Sequence, residues 1–519
     1  MIAVSDAWKQ KQFGFLAPEG FVELSYLVSE DGLQEDATAI SLDTSPVSNT
    51  QNVVNVYEEL EKKFVTTNEM NLWLLDGSRK LHDETGTGYV SSRFGSGELK
   101  ISLSKVHEQP LQGITIQWCS EFDEYATKFN IVAYRGDTIV ASHSVVGNTN
   151  VISEVEFEID DYDSIVVKIL EWSVPQHRTR IERVTLGITK VYTKNDLMGY
   201  THSQTGSPVS GELPKNSIEF ILDNSDGKWN PNNPTGYERY LSERQKITAR
   251  YGFDIDGTVE WIDGGTFYLS EWKTPSNGIQ ATFTARDLLE YMIDELYTGR
   301  MSGTLYEICS DAIELADLPR GAKVVLDDCL KKYEAQFDGE YSCAEILQMS
   351  ANASKCVMYQ DRNGILRIER KNHPVGDVSI DGDVSYSFPE IELLKPLKSI
   401  SVSYGESSEF ILNENKTGEV QTVTNPFIST ETQADEVARW ISDTLKFRKN
   451  ISGEYRADPR LDLFDKVRVE SKYGTNNAVL ITDIQYSFSG AFKGTYSGVV
   501  TEFTPIPAAY CGEIFVGEV

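Results

Sequence analysis

The sequence has no CxxC pair of cysteines and no long apolar run, and we expect no export signal. Its six cysteines are spread through 519 residues without a CxxC pair, which argues against a disulfide framework and favours assembly in a reducing cytosol. No stretch of about 18 apolar residues occurs, so no membrane-spanning helix is predicted. The opening residues, MIAVSDAWKQKQ, lack the charged and apolar regions of a signal peptide, and we expect none.

The motifs of common enzyme classes are also absent. The sequence contains no HExxH, no GxSxG, no Walker A and no GxGxxG after a strand. No two of the six histidines stand three or four residues apart, so we expect surface or incidental histidines rather than metal ligands or bases. Among 79 acidic residues no acid/base pair can be singled out. We therefore predict no enzyme, no cofactor and no metal site.

Positive charge is scarce relative to negative charge. Lysine and arginine total 48 against 79 aspartates and glutamates, a formal net charge of −31. Tight binding of nucleic acid or of an anionic membrane needs clustered cations, so both are argued against. Such a chain suits a surface that DNA passes without tight binding.

The composition and the short apolar runs of the chain predict a β-rich protein. Tyrosine and phenylalanine are abundant, at 25 and 22 residues, and most apolar runs are short and bounded by turn residues. The length predicts several domains. Strands are indicated by SIEFIL (217–222), KITARYGF (246–253) and KSISVSYG (398–405), and by NLWLL (71–75) near the start.

Helices are predicted at a few places between these strands. Helical spacing of apolar residues occurs in residues 285–292, 304–316 and 432–445. Ser342 and Glu345 fit a capping box that begins another helix. The segment KCVMYQDRNGILRIER predicts a hairpin that turns at Asn363-Gly364.

Residues 76–190 have closely spaced strands that predict a β-sandwich. In SEVEFEIDD apolar and acidic residues alternate, which indicates one buried face and one solvated face. The aromatic side chains of Trp118, Tyr134 and Trp172 are candidates for stacking on a sugar ring. Packing within the core is the alternative for each of them.

The loop DNSDGKWNPNNPTG, residues 223–236, fails the spacing of an EF-hand calcium loop. Tight turns and side-chain-to-backbone hydrogen bonds are the better interpretation. Asp226-Gly227 turns the chain and Trp229 supplies one large apolar anchor. We expect Asp226, Trp229, Asn230 and Arg244 to contact a neighbouring subunit, and Trp229→Ala to impair ring assembly more than monomer folding.

The segment NSIEFILDNSDGKWNPNNPTGYERYLSERQKITARYGF and the closing segment RADPRLDLFDKVRVESKYG resemble the tail-tip or baseplate hub proteins of phages, a family also found in contractile injection systems of Gram-positive bacteria. The resemblance covers residues 191–297 and 396–505 well. It implies a mainly β fold with α+β parts and two tail-tube-like β-barrel domains.

The domains expected on this basis are a first barrel from residues 1–75 and 191–297, a helix-hairpin α+β module over 298–395, and a second barrel with a C-terminal extension over 396–519. A jelly-roll β-sandwich over 76–190, similar to carbohydrate-binding modules, would be inserted in the first barrel. Some relatives carry a hydrolase extension at the C-terminus, which we do not expect here.

The resemblance also implies a role in the virion. Three copies would form a hub that closes the tail tube at the tail tip, adapts sixfold to threefold symmetry and lines the channel for DNA or the tape-measure protein. Its partners would be the tail tube or distal tail ring and a tail spike or fibre, after assembly in the host cytoplasm. The alternative is a host-attachment protein whose inserted sandwich binds cell-wall glycan.

Overall fold

A computed structural model describes most of the chain. The described residues are 2–12, 14, 19–28, 33–43, 50–54, 88–106, 110–119, 122–230, 232–233, 236–237, 241, 244–275, 279–319, 322–371, 375–405, 407–472 and 474–503. The strand predicted at residues 71–75 lies outside them. Within these residues, no helix has both the length and the apolar character needed to cross a membrane.

The N-terminal part of the described chain is mainly β. Its elements are α1 (Asp6–Gln12), β1 (Gly20–Val28), α2 (Leu33–Asp36), β2 (Thr38–Ser41), β3 (Tyr89–Phe94), β4 (Gly97–Ser102), β5 (Leu111–Gln117), β6 (Ala126–Arg135), β7 (Thr138–Val146), β8 (Ile152–Ile159), β9 (Ser164–Trp172), β10 (Arg178–Ile181), β11 (Arg183–Leu186) and β12 (Ile188–Tyr192).

The C-terminal part adds further strands and the longer helices. Its elements are β13 (Leu197–Thr205), β14 (Lys215–Asp223), β15 (Lys246–Ile255), β16 (Thr258–Lys273), β17 (Gln280–Arg286), β18 (Ser302–Thr304), α3 (Leu305–Leu315), β19 (Lys323–Leu326), β20 (Glu334–Gln336), α4 (Cys343–Ala353), β21 (Val357–Gln360), β22 (Ile365–Glu369), β23 (Ser379–Ile380), β24 (Glu390–Leu393), β25 (Leu397–Tyr404), β26 (Ser408–Asn413), β27 (Glu419–Val423), α5 (Glu431–Thr444), β28 (Lys449–Tyr455), β29 (Lys466–Ser471), β30 (Gly474–Phe488) and β31 (Phe492–Phe503). The predicted mainly β character is thus confirmed.

The chain divides into two compact units. The first unit contains Met1–Leu24, Tyr192–Gly227 and Lys246–Val519, and the second contains Ser25–Val191 and Lys228–Gln245. Each unit is discontinuous in sequence. The loop over residues 223–236 changes unit between Gly227 and Lys228.

The first unit is built on one large sheet. From β1 onwards its strands follow the order β1-β15-β16-β17-β14-β13-β30-β31-β28-β24, with β29 paired to β30 and β23 to β29. The antiparallel pairing of β13 with β30 sets Tyr200 opposite Phe488 and Thr205 opposite Asp483. Strands of the segments 191–297 and 396–519 therefore belong to one continuous sheet.

The longer helices of this unit share one apolar core. Residues of α3, α4 and α5 pack there with residues of β22 and β25. The capping box predicted for α4 is confirmed, since the Ser342 hydroxyl accepts from Glu345 N–H and the Glu345 side chain returns to the Ser342 backbone. Both bonds satisfy amide groups that a helix start otherwise leaves unpaired.

One predicted helix is shorter than expected. Residues 285–292 contain only the 3-10 turn Leu288–Tyr291, because β17 runs on to Arg286. The Asp287 side chain accepts a hydrogen bond from Leu289 N–H and begins the turn. Strand pairing to β14 and β16 thus overrides the helical spacing of the apolar residues.

The second unit contains a five-stranded antiparallel sheet of order β2-β4-β9-β6-β7 and a three-stranded sheet of order β11-β5-β8. Both sheets contribute to a single apolar core. In β8, Val155 and Ile159 are buried and Glu154, Glu156 and Glu158 face outwards. The alternation predicted for this strand is therefore confirmed.

Candidate functional site

The described residues of the loop over 223–236 form local turns. Ser225 N–H donates to Asp223 Oδ1 at 2.9 Å and Asn232 N–H donates to Asn230 Oδ1 at 2.9 Å. Gly227 has φ of 68°, a conformation that favours glycine. The polar side chains of Asp223 and Asn230 thus make the local hydrogen bonds that the sequence predicts for turns.

The four residues proposed for subunit contact differ in exposure. Trp229 is only 4% exposed, and its ring packs edge-on against Tyr26 and Tyr237 with centroids 5.9 and 5.2 Å apart. Asp226 and Arg244 are exposed, and Asn230 is half-buried. Trp229 is therefore an anchor within its own unit, and only the other three present polar groups at the surface.

The three aromatic residues considered for sugar stacking also differ in burial. Trp118 and Trp172 are buried in the core of the second unit and pack edge-on, with ring centroids 6.0 Å apart. Their indole N–H groups donate to Ser153 and Glu124. Burial leaves neither indole face open to a sugar, so core packing holds for both. Tyr134 is half-buried.

A cavity of about 360 Å³ opens beside the five-stranded sheet of the second unit. It is lined by polar groups of β4, β9 and the connection after β4, and by Arg135. Its lining residues are Lys100, Ser102, Leu103, Ser104, Lys105, Val106, Arg135, Asp163 and Ser164. Three cations and one carboxylate line it, which reverses the acidic balance of the whole chain.

The hydrogen bonds around this cavity fix its walls. Leu103 N–H donates to the carbonyl of Asp163 at 2.9 Å. The Asp163 carboxylate accepts from Gly136 N–H at 2.7 Å and from the Ser164 hydroxyl at 3.1 Å. Ser104 N–H donates to Asp36 at 3.0 Å. Backbone contacts on both sides therefore hold the connection after β4 against β9.

A second polar arrangement lies inside the first unit. His202 is fully buried, with Nε2 2.8 Å from Asn216 Oδ1 and Nδ1 2.8 Å from the Tyr251 hydroxyl. Because an amide oxygen only accepts, Nε2 carries the proton and Nδ1 accepts from Tyr251. Burial, with the Arg362 charge adding to it, lowers the pKa of His202 to about 3.

Arg362 completes this arrangement. Its guanidinium donates to the carbonyl oxygens of Gly264 at 3.1 Å and Leu461 at 2.9 Å. Asp462 lies 3.4 Å away and accepts a hydrogen bond from Gln204 at 2.8 Å. The group is closed off from solvent, and protein partners bind most of its polar atoms, although Arg362 Nε and Gln204 Oε1 make no hydrogen bond with any described residue. It stabilises the core rather than offering a reactive site.

The sequence contained a signal for this buried polar group, namely the spacing of residues along β13, which a search for pairs of histidines does not detect. Tyr200, His202 and Gln204 alternate along β13 and are all buried. Large polar residues at every second position of a strand indicate a hydrogen-bonded inner face. The expectation of a surface or incidental histidine is therefore wrong in location for His202, which is a structural core residue.

Three possible metal ligands meet in the first unit. Asp327, Cys329 and Cys356 each bring one ligand atom within 4.8 Å of the others, the one such group among the described residues. The two thiols lie 3.3 Å apart, and Asp327 accepts from Cys329 N–H at 2.8 Å. The contact with Cys356, together with burial, raises the pKa of the Cys329 thiol. Structural zinc sites take four ligands, so this group is one short.

No known protein-family model matches the chain, and no curated protein matches it in sequence. Solved structures do. The 43 kDa tail protein of prophage MuSo2 from Shewanella oneidensis is 15% identical, with a TM-score of 0.43 over 60% of this chain and 94% of that one. The tail protein from Neisseria meningitidis MC58 is 12% identical, with a TM-score of 0.42 over 60% and 93%.

A third similar structure is a prophage tail protein from Listeria monocytogenes. It is 14% identical, with a TM-score of 0.37 over 59% of this chain and 91% of that one. All three solved structures are described as tail proteins.

Proposed function

We propose that the chain is a structural hub of a phage tail, assembled as a homotrimer at the distal end of the tail tube. The observation that carries this proposal is the pairing of β13 with β30. It sets two β-rich segments side by side in one sheet. Three such chains would supply six β-rich segments to a ring, which matches a hexameric tube on one side and a threefold tip on the other.

The free end of the large sheet supports assembly with further copies. Among the described residues, β24 has a partner strand on one side only, β28. Ile391 and Leu393 are 48% and 66% exposed, and Ile391 stands opposite the fully buried Ile451. The apolar face of the sheet thus continues to an open edge, which a strand of another copy can cover.

The charge of the chain fits a channel wall. A net charge of −31 repels DNA phosphates and reduces the tendency of DNA to adhere during passage. The tail tube or distal tail ring, the tape-measure protein and a tail spike or fibre are the partners that such a hub would contact. The virion tail tip is then its location.

Mass photometry and negative-stain imaging of the purified chain test this proposal. We expect a three-subunit ring, either alone or after addition of the tail-tube protein from the same genome. A chain that stays monomeric with that partner present would contradict the hub. Neighbouring reading frames supply an independent check, since a tape-measure gene just upstream is expected.

A second candidate is attachment to the host through cell-surface glycan. The observation that favours it is the polar cavity of the second unit, with Tyr134 on the same sheet. Attachment and a hub role are compatible, because the cavity belongs to the second unit and the open edge β24 to the first.

A further inference from the structure

Basic residues outnumber acidic residues in the lining of the cavity in the second unit, whereas acidic residues outnumber basic ones in the whole chain. Lys100, Lys105 and Arg135 line it together with one carboxylate, Asp163, in a chain with 48 basic and 79 acidic residues. Lysine and arginine at one concave site attract an anion, and the concave shape strengthens their field. The chemistry of this wall is therefore that of an anion site.

The two lysines are available to a ligand. Within the described part of the chain, no carboxylate lies at ion-pair distance from the ammonium group of Lys100 or Lys105. Arg135 is partly engaged, with Asp161 at 3.5 Å and Asp163 at 3.9 Å. The Asp36 carboxylate also lies at this connection, where it accepts from the backbone N–H groups of Ser104 and Lys105 at 3.0 and 3.3 Å. An incoming anion would therefore meet two ammonium groups that no described carboxylate pairs with, beside one carboxylate held by the backbone.

Hydroxyl groups line the cavity with these charges, and an aromatic ring lies on the same face of the sheet. Ser102 is opposite Ser164 across β4 and β9, and Ser164 is opposite Tyr134 across β9 and β6. Residues directly opposite in a sheet point to the same face. Ser102, Ser164 and Tyr134 therefore form a row across one face of the sheet. The row leads from the hydroxyl groups at the cavity to the half-buried Tyr134 ring.

We propose that this cavity binds an anionic saccharide. The phosphate or carboxylate of the sugar would contact Lys100 and Lys105, its hydroxyls would bond to Ser102 and Ser104, and its apolar face would lie towards Tyr134. A volume of about 360 Å³ lies at the small end of the roughly 300–1,000 Å³ range of ligand pockets. One charged sugar unit of a polymer fits that size. This inference rests on the attachment candidate above and is independent of ring formation.

Calorimetric titration of the full chain with defined ligands tests the site. The probes are a glycerol-phosphate oligomer bearing sugar, a uronic-acid oligosaccharide, a neutral oligosaccharide of equal length and inorganic phosphate. We expect at least one charged saccharide to bind, more weakly as salt is raised. The stronger of the two identifies phosphate or carboxylate as the anion. Equal binding of the neutral oligosaccharide, no binding of either charged one, or equal binding of inorganic phosphate would overturn the proposal.

Single substitutions locate the site. Lys100→Ala and Lys105→Ala should each weaken binding of the charged saccharide about tenfold, which is about 1.4 kcal/mol, because each variant removes one charged hydrogen-bond donor. Lys128→Ala is the matched control, because Lys128 is exposed on β6 of the same sheet and does not line the cavity. Equal affinities of all three variants and the unaltered chain would overturn the assignment of the site.

Two further measurements keep the result interpretable. Circular dichroism and the unfolding midpoint of each variant test whether the fold is unchanged, which matters most for Lys100 because it is half-buried whereas Lys105 and Lys128 are exposed. Mass photometry of the same samples reports assembly separately. An unaltered chain that forms the ring but binds no charged saccharide contradicts this site alone, whereas an unaltered chain that binds the saccharide but forms no ring contradicts the hub.

Discussion

Arg362 and Asp462 form an ion pair inside the first unit, with Arg362 Nε 3.4 Å from Asp462 Oδ1 and side chains only 4% and 10% exposed. The two residues are far apart in sequence, and the pair joins the hairpin of β21 and β22 to the connection before β29. The Asp462 carboxylate is held ionised despite its burial, because the charges of Arg362 and Lys371 lower its pKa.

Removing one charge of this pair should destabilise the first unit strongly. Asp462→Asn leaves the buried Arg362 uncompensated, and breaking a buried pair costs about 3–5 kcal/mol. Urea denaturation measures the change. Glu419→Gln is the control, since it removes an exposed pair with Lys395 at 2.6 Å and should change little. Similar losses in the two variants would show that the burial of Arg362 does not matter.

Asp287 should make stability fall with rising pH. Burial raises the pKa of this carboxyl from 3.8 to about 7, so the folded chain holds a proton that the unfolded chain releases. The contribution of Asp287 to the free energy of unfolding is fully present below the pKa of the unfolded state and is lost as pH rises through the pKa of the folded state. We expect this carboxyl to lower the unfolding midpoint of the unaltered chain between about pH 4 and about pH 7.

The variant Asp287→Asn isolates this effect from the other titrating groups. Asparagine keeps the oxygen that accepts from Leu289 N–H and carries no charge at any pH in the window. The difference in midpoint between variant and unaltered chain should therefore grow in favour of the variant as pH rises. A constant difference across the window would show that Asp287 does not titrate there.

Trp229→Ala should weaken folding, which reverses the expectation drawn from the sequence. The ring is 4% exposed and packs on Tyr26 and Tyr237, and a buried tryptophan replaced by alanine costs about 3–5 kcal/mol. The thermal midpoint of the second unit measures the loss. Asp226→Ala, at an exposed position of the same loop, should leave the midpoint unchanged. An unchanged midpoint in Trp229→Ala together with lost assembly would restore the original expectation.

Leu393→Lys should reduce self-association of the chain. Leu393 is 66% exposed on the open edge strand β24, and a charged residue on an edge opposes strand pairing between molecules. Mass photometry at a series of concentrations measures the effect. Val420→Lys is the comparison, because Val420 is 53% exposed on β27 of a separate sheet. If Val420→Lys disrupts assembly and Leu393→Lys does not, β24 is not the edge that copies share.

Much of the local structure could be predicted because local patterns carry it. Alternation of apolar and acidic residues defined β8, a serine and a glutamate three residues apart defined the start of α4, and Asn363-Gly364 defined the hairpin of β21 and β22. Each of these depends on neighbours within a few residues. The helix predicted over residues 285–292 was wrong because residues 285 and 286 pair in β17 with distant residues of β14 and β16.

The sequence by itself determined the mainly β composition, the acidic charge, the turn chemistry of residues 223–236 and the resemblance to phage tail hubs. Tertiary structure alone decided that β13 pairs with β30, that His202 and Trp229 are buried, and that Lys100, Lys105 and Arg135 share one cavity. Composition and turns depend on the residues themselves. Burial and clustering depend on which distant segments meet, and a single sequence does not record those pairings.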